Sequence, residues 1–215
     1  MDSPQHSASR VTSTSRFFSL GLWLPLALVF AAAGWRIVAA WNPSLANFAP
    51  LTALAFCGAV YFRNRGMWLI PFAALLMSDL YLNHYYAVQF NYEWSFGASG
   101  VRALCFVVAV FLGWLVSERK TWLNLFSGTL AGAIVFYLVT NSHAWFYDLG
   151  YAKTATGWWQ AMSVGHPGFP PTLFFFRNSL ASDFFFTAAF VWVMEYRAVK
   201  WKQPSLLLTR LPAQR

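Results

Sequence analysis

The sequence predicts an all-α integral membrane protein of six transmembrane helices with both termini cytoplasmic. Three observations predict it. Only 10% of residues are charged, against 58% hydrophobic, whereas a water-soluble domain carries roughly 25% charged residues. Aromatics reach 20%, with 22 Phe and 12 Trp, a load that a lipid-facing perimeter accommodates and a small soluble core does not. The apolar residues also fall into six runs bounded by polar stretches.

The first fifteen residues are Ser/Thr-rich and polar. They place residues 1–16 in a disordered cytoplasmic terminus. The first run, Phe17 to Trp41, exceeds the roughly 7–15 apolar residues of a cleavable signal peptide, so it reads as a retained membrane helix. The second, Asn47 to Phe62, carries Pro50 in its expected first turn, where a missing N–H costs little. The third is Met67 to Leu82 and the fourth Val101 to Val116. The fifth is Trp122 to Thr140 and the last Leu173 to Met194. Runs two to four fall short of the roughly 20 residues that a bilayer needs, so their ends must borrow from the flanking loops. Residues 17–196 thus form one membrane domain and 197–215 a basic cytoplasmic tail. Gly128-x-x-x-Gly132 and Ala27-x-x-x-Ala31 are small-residue spacings that let helices approach closely.

Orientation follows from charge. The formal net charge is +8, but of the 15 Lys and Arg residues most sit in the termini and two short loops: Arg10, Arg16, Arg63, Arg65, Arg119, Lys120, Arg197, Lys200, Lys202, Arg210 and Arg215. That is the positive-inside pattern, and it argues against nucleic-acid binding. The outer loops are then Asn42 to Ala46, Asn83 to Gly100 and Asn141 to Thr172. The two long ones are crowded with aromatics, among them Tyr85, Tyr86, Phe90, Tyr92, Trp94 and Phe96, then Trp145, Phe146, Tyr147, Tyr151, Trp158 and Trp159. Such residues form the interfacial belt, or cap a ring-shaped ligand.

Ionisable groups inside apolar runs are costly unless partnered or hydrated. Arg36, Asp79, Arg102, Arg177 and Asp183 are of this kind. With Asn47 and Asn141 they place a polar group on every predicted helix, all in the outer half of the bilayer, and leave the inner half nearly bare. Such convergence points to an outward-facing polar cavity. Structural ion pairs, Asp79 with Arg102 or Asp183 with Arg36, are the alternative. The form Leu-x-Ser-Asp recurs at Leu76–Asp79 and Leu180–Asp183 and sets a hydroxyl beside each acid. Cys57 and Cys105 lie in apolar runs and read as packing residues. His84, His143 and His166 are isolated in the outer loops. There is no metal-ligand spacing, no Walker A loop and no catalytic constellation, so neither a cofactor nor an enzymatic activity is expected.

The stretch Asn47-Phe-Ala-Pro50-Leu-Thr-Ala53, with Gly58, Pro71 and Ser78-Asp79, resembles a small uncharacterised family of bacterial membrane proteins. Its further marks are Thr140-Asn141, Trp145, Tyr151, Gly157 and a Pro-containing approach to a final helix with Asn178 and Asp183. The resemblance covers roughly Ala46 to Val193. That family is in turn similar to the substrate-binding S components of energy-coupling-factor vitamin transporters. The resemblance implies an S-component-like bundle in the bacterial inner membrane that captures a small vitamin-like or anionic nutrient at its outer face. It also implies a transmembrane coupling protein with cytosolic ATPases as partners. On this reading Arg36, Arg102 and Arg177 neutralise an anionic group. Asn47, Asp79, Asn141, Asn178 and Asp183 hydrogen-bond polar edges, and Trp145, Tyr151 and Trp158 cover a ring. The rival is a non-transporting accessory subunit of a larger membrane complex, with the buried charges in structural pairs.

Overall fold

Asp183 and Pro50 together decide where the centre of this molecule becomes helical. The computed structural model describes residues 11–42, 45, 47–50, 52–62, 67–90 and 95–207. Among them every regular element is a helix: α1 (Val11–Ala40), α2 (Ala53–Tyr61), α3 (Leu69–Phe90), α4 (Phe96–Glu118), α5 (Trp122–Tyr147), α6 (Ala155–Met162) and α7 (Thr172–Lys200). Residues 1–10 of the expected disordered terminus lie outside the described residues, as do Arg63, Arg65, Tyr92, Trp94, Arg210, Arg215 and the side chains of Arg16 and Phe90.

The second run differs most from expectation. Pro50 has no N–H and steers the preceding Ala49 away from helical geometry, so the described residues 47–50 form no helix and α2 starts only at Ala53. Its nine residues rise about 13 Å, too short to cross a bilayer alone. What α2 lacks in length it has in burial. Every residue from Ala53 to Val60 is buried, with the other helices around it. Small residues on its neighbours allow that. A Cβ on Gly113 of α4 would sit 2.5 Å from the Phe56 carbonyl oxygen, and one on Gly128 of α5 would meet the Phe56 ring at 2.6 Å. Gly132 faces Thr52, so the Gly128-x-x-x-Gly132 spacing serves packing as expected. Ala27 and Ala31, by contrast, are exposed.

Phe106, Leu75, Leu125, Phe190 and Val29 complete the buried core around α2. Cys57 and Cys105 are free and buried within the bundle. The remaining long helices run past the ends of their apolar runs. α3 reaches Phe90 and α4 starts at Phe96, where the Ser95 hydroxyl accepts from the Ala98 N–H at 3.2 Å. Much of the expected outer loop from Asn83 to Gly100 is therefore helix. Hydropathy marks an apolar slab, and backbone hydrogen bonds continue beyond it. For the same reason α1 runs back to Val11, into the stretch expected to be disordered, since no Gly or Pro interrupts 11–20.

α4 and α5 are long and apolar enough to cross a membrane, with mean hydropathies of 2.1 and 1.6, and only 28% of either apolar stretch is buried inside the protein. A soluble core helix would be mostly buried. Here large apolar side chains such as Phe111, Leu115 and Leu123 are exposed instead, which supports membrane association.

The end of the bundle formed by Tyr61, Lys120 and the last turns of α7 is not bare of polar groups, contrary to expectation. Glu195 is 1% exposed. It accepts from the Tyr61 hydroxyl at 2.8 Å, the Ser205 hydroxyl at 2.9 Å and the Leu206 N–H at 2.7 Å, with Lys120 Nζ at 3.7 Å. The carboxylate thereby hooks the start of the basic tail back onto the helices. Glu195 falls one residue past the last apolar run, where a charge reads as solvated.

Candidate binding cavity

At the opposite end of the bundle the helix ends part around a cavity of about 730 Å³. One wall is charged. Asp79 on α3 accepts from Arg102 Nε of α4 at 3.0 Å and from Arg36 Nη2 of α1 at 3.4 Å. Arg36 is 3% exposed and also donates to the Ser78 hydroxyl at 2.6 Å and the Leu75 carbonyl at 3.2 Å. Arg102 Nη2 donates to Asn83 Oδ1 at 2.9 Å and to the Ser99 hydroxyl at 3.0 Å. The facing wall is aromatic: Phe136, Tyr137 and Tyr147 of α5 with Phe175 and Phe176 of α7. The Tyr137 and Phe176 rings lie 4.4 Å apart.

Of the residues singled out by sequence, Arg36, Asn47, Asp79, Arg102 and Asn141 line this cavity. Asn47 takes a positive φ of 59°, which Asn tolerates better than most residues. The Asn141 amide donates to the Tyr137 carbonyl at 2.8 Å. The anticipated Asp79–Arg102 ion pair is present, yet it borders open space and does not fill it.

The other candidates stand elsewhere. Asp183 is 1% exposed and caps α2. Its Oδ1 accepts from the Thr52 N–H at 3.1 Å and the Ala53 N–H at 2.9 Å, and its Oδ2 from the Thr52 hydroxyl at 2.7 Å. Asp183 does not line the cavity, and the alternative pairing with Arg36 is not made. The recurrent serine does not serve its acid either: Ser78 donates to the Leu75 carbonyl at 2.9 Å and the buried Ser182 hydroxyl has no partner. Arg177 is exposed, with its guanidinium 4.5 Å above the Phe174 ring and 3.4 Å from Asn178 Oδ1, and neither residue lines the cavity.

Trp145 in the last turn of α5, and Tyr151 and Trp158 beyond it, do not line the cavity. Trp145 Nε1 donates to the Ala152 carbonyl at 2.9 Å and Trp158 Nε1 to the Ser142 hydroxyl at 3.0 Å. The Tyr151 ring packs 4.2 Å from that of His166. Tyr86 of α3 and Tyr147 of α5, both among the aromatics expected in the outer loops, do line the cavity, whereas Phe136, Tyr137, Phe175 and Phe176 sit inside apolar helices, where sequence cannot separate them from lipid-facing rings. Of the outer-loop histidines, His143 lines the cavity.

The segment 148–171 is held at the cavity mouth by Asp148. Its Oδ1 accepts from the Gly150 N–H at 2.8 Å and its Oδ2 pairs with His166 Nε2 at 2.7 Å. Desolvation opposes the charged form, but the hydrogen bonds from Gly150 and His166 outweigh it and hold the carboxyl below its usual 3.8. A depressed carboxyl stabilises the fold above its unfolded value, and that contribution is lost as pH falls through the folded one. Amide protection across 148–171, taken relative to the intrinsic exchange rate at each pH, is therefore expected to hold down to about pH 4 and to fall below it. Asp148→Asn should reproduce the loss of protection at neutral pH. Full protection in that variant would show that the contact does not hold the segment.

The fold and site define a class: an all-helical bundle, built on a buried short helix, with an amphipathic cavity at one end. Residues 18–206 match the model of a family of unknown function, DUF6580, and the chain belongs to that family. No curated protein and no solved structure matches it.

Proposed function

We propose that this chain is a multi-pass protein of the bacterial cytoplasmic membrane that captures a small nutrient molecule at its outer face, in the manner of an S component. A single observation carries the reading: polar groups from α1, α3, α4 and α5 meet at an open cavity of a size suited to a small ligand. Five helices of 22 to 30 residues are long enough to cross a bilayer. The sixth pass combines the non-helical residues 47–50 with α2. Non-helical backbone is tolerated at membrane depth where it is buried in protein and its N–H groups are satisfied, as Asp183 satisfies those of Thr52 and Ala53. Both termini then face the cytoplasm, and uptake would use a transmembrane coupling protein with cytosolic ATPases. The reading is one of binding and transport, without catalysis.

Native mass spectrometry of the full chain purified in mild detergent tests it. A bound small molecule is expected, and Ala144→Trp, which fills the cavity, is expected to release it. A wild-type chain that carries nothing, or a variant that keeps the same molecule, would favour an accessory subunit. The ion pairs that Asp79 makes with Arg36 and Arg102 already suit that second reading.

A further inference from the structure

Resting on the capture reading, we infer that the ligand is a planar aromatic monoanion, its charged edge toward Arg102 and its ring against the α5–α7 wall. The charge follows from the α1–α3–α4 wall. Two guanidiniums share one carboxylate there, since Asp79 is the acid that Arg36 and Arg102 both contact. The cavity's other acid, Asp148, is exposed and has its own cation beside it in Lys153, whose ammonium donates to the Asp148 backbone carbonyl. One positive charge is thus left over beside the cavity, in surroundings that strengthen electrostatic contacts relative to water. Arg102 is the reachable cation, because its side chain is 21% exposed while that of Arg36 is 3% exposed. A cation would meet the excess charge unfavourably, and a neutral molecule would leave it without a counter-ion.

The ring follows from the opposite wall. Tyr137 is fixed by its hydroxyl, which donates to the Met162 carbonyl, and by Phe176 beside it. Phe136 is stacked on the buried Phe106 at 6.0 Å. These rings are held before any ligand arrives, so a rigid flat molecule gains contact there with little ordering cost.

Calorimetry on the full chain in lipid nanodiscs, with probes matched in shape, tests both halves. Indole-3-acetate is expected to bind at least about tenfold more tightly than the neutral indole-3-acetamide, and tryptamine not to bind. Cyclohexylacetate, charged but not flat, should be weaker than indole-3-acetate. Arg102→Gln should bring the acetate and the acetamide toward equal affinity, whereas a merely structural loss would weaken both alike. An acetamide or tryptamine as tight as the acetate, or a preference that persists in Arg102→Gln, overturns the charge assignment. Equal binding of cyclohexylacetate overturns the ring. A neutral or cationic co-purified molecule that Ala144→Trp releases would overturn this ligand class and leave capture standing. Silence of every probe and of the mass spectrum would overturn both.

Discussion

Replacing Asp183 by alanine is expected to destabilise the folded chain by about 3–5 kcal/mol, while the folded fraction still binds ligand as the wild type does. The size follows from what the carboxylate does. A helix N-terminus leaves its first N–H groups without partners, and at α2 this end lies where water does not reach. Asp183 answers two of them, from Thr52 and Ala53, and takes the Thr52 hydroxyl as well. Alanine strands all three donors in the core at once. The positive end of the α2 dipole loses its counter-charge too. Asp183→Asn should fall between, since an amide oxygen accepts but its NH₂ faces donors. Unfolding midpoints in detergent measure the loss. A weak effect on the midpoint with a large effect on binding would return Asp183 to the site.

That contrast shows how far the chain could be read in advance. Asp79 and Asp183 share a local motif, each lies within an apolar run, and each poses the same problem of a carboxylate away from water. Only the neighbours separate them: two arginines and a cavity for one, a helix N-terminus for the other. Convergence of Arg36, Asp79, Arg102 and Asn141 was legible because burial cost and helical rise fix depth without any tertiary knowledge. The short α2 was not, because hydropathy measures burial and is blind to whether residues 47–50 are helical or irregular. Pro50 was read as a first-turn proline, yet it precedes the helix. Glu195 was missed for a related reason. A charge just beyond an apolar run looks solvated until the tail is seen to fold back over it. The Tyr137–Phe176 wall left no signal at all, since a ring facing a cavity and a ring facing lipid obey the same periodicity.

Asp79→Ala is the second change expected to have a large effect, about 3 kcal/mol of lost stability. Two guanidiniums depend on that carboxylate, and Arg36 is only 3% exposed. Without Asp79 they repel one another across the space it occupied. The penalty therefore belongs to the stranded cations more than to the missing anion, and this has a testable consequence. In the Asp79→Ala background, Arg36→Met removes the deeper charge while keeping apolar volume, and it should recover part of the lost stability. The same Arg36→Met change in the wild type should be destabilising, because it leaves the Ser78 hydroxyl without its donor and both the Leu75 carbonyl and Asp79 with one partner fewer. A double-mutant cycle on unfolding midpoints reads the coupling directly. Additive effects would mean that Arg36 and Asp79 are stabilised independently, and the excess charge attributed to this wall would then have no basis.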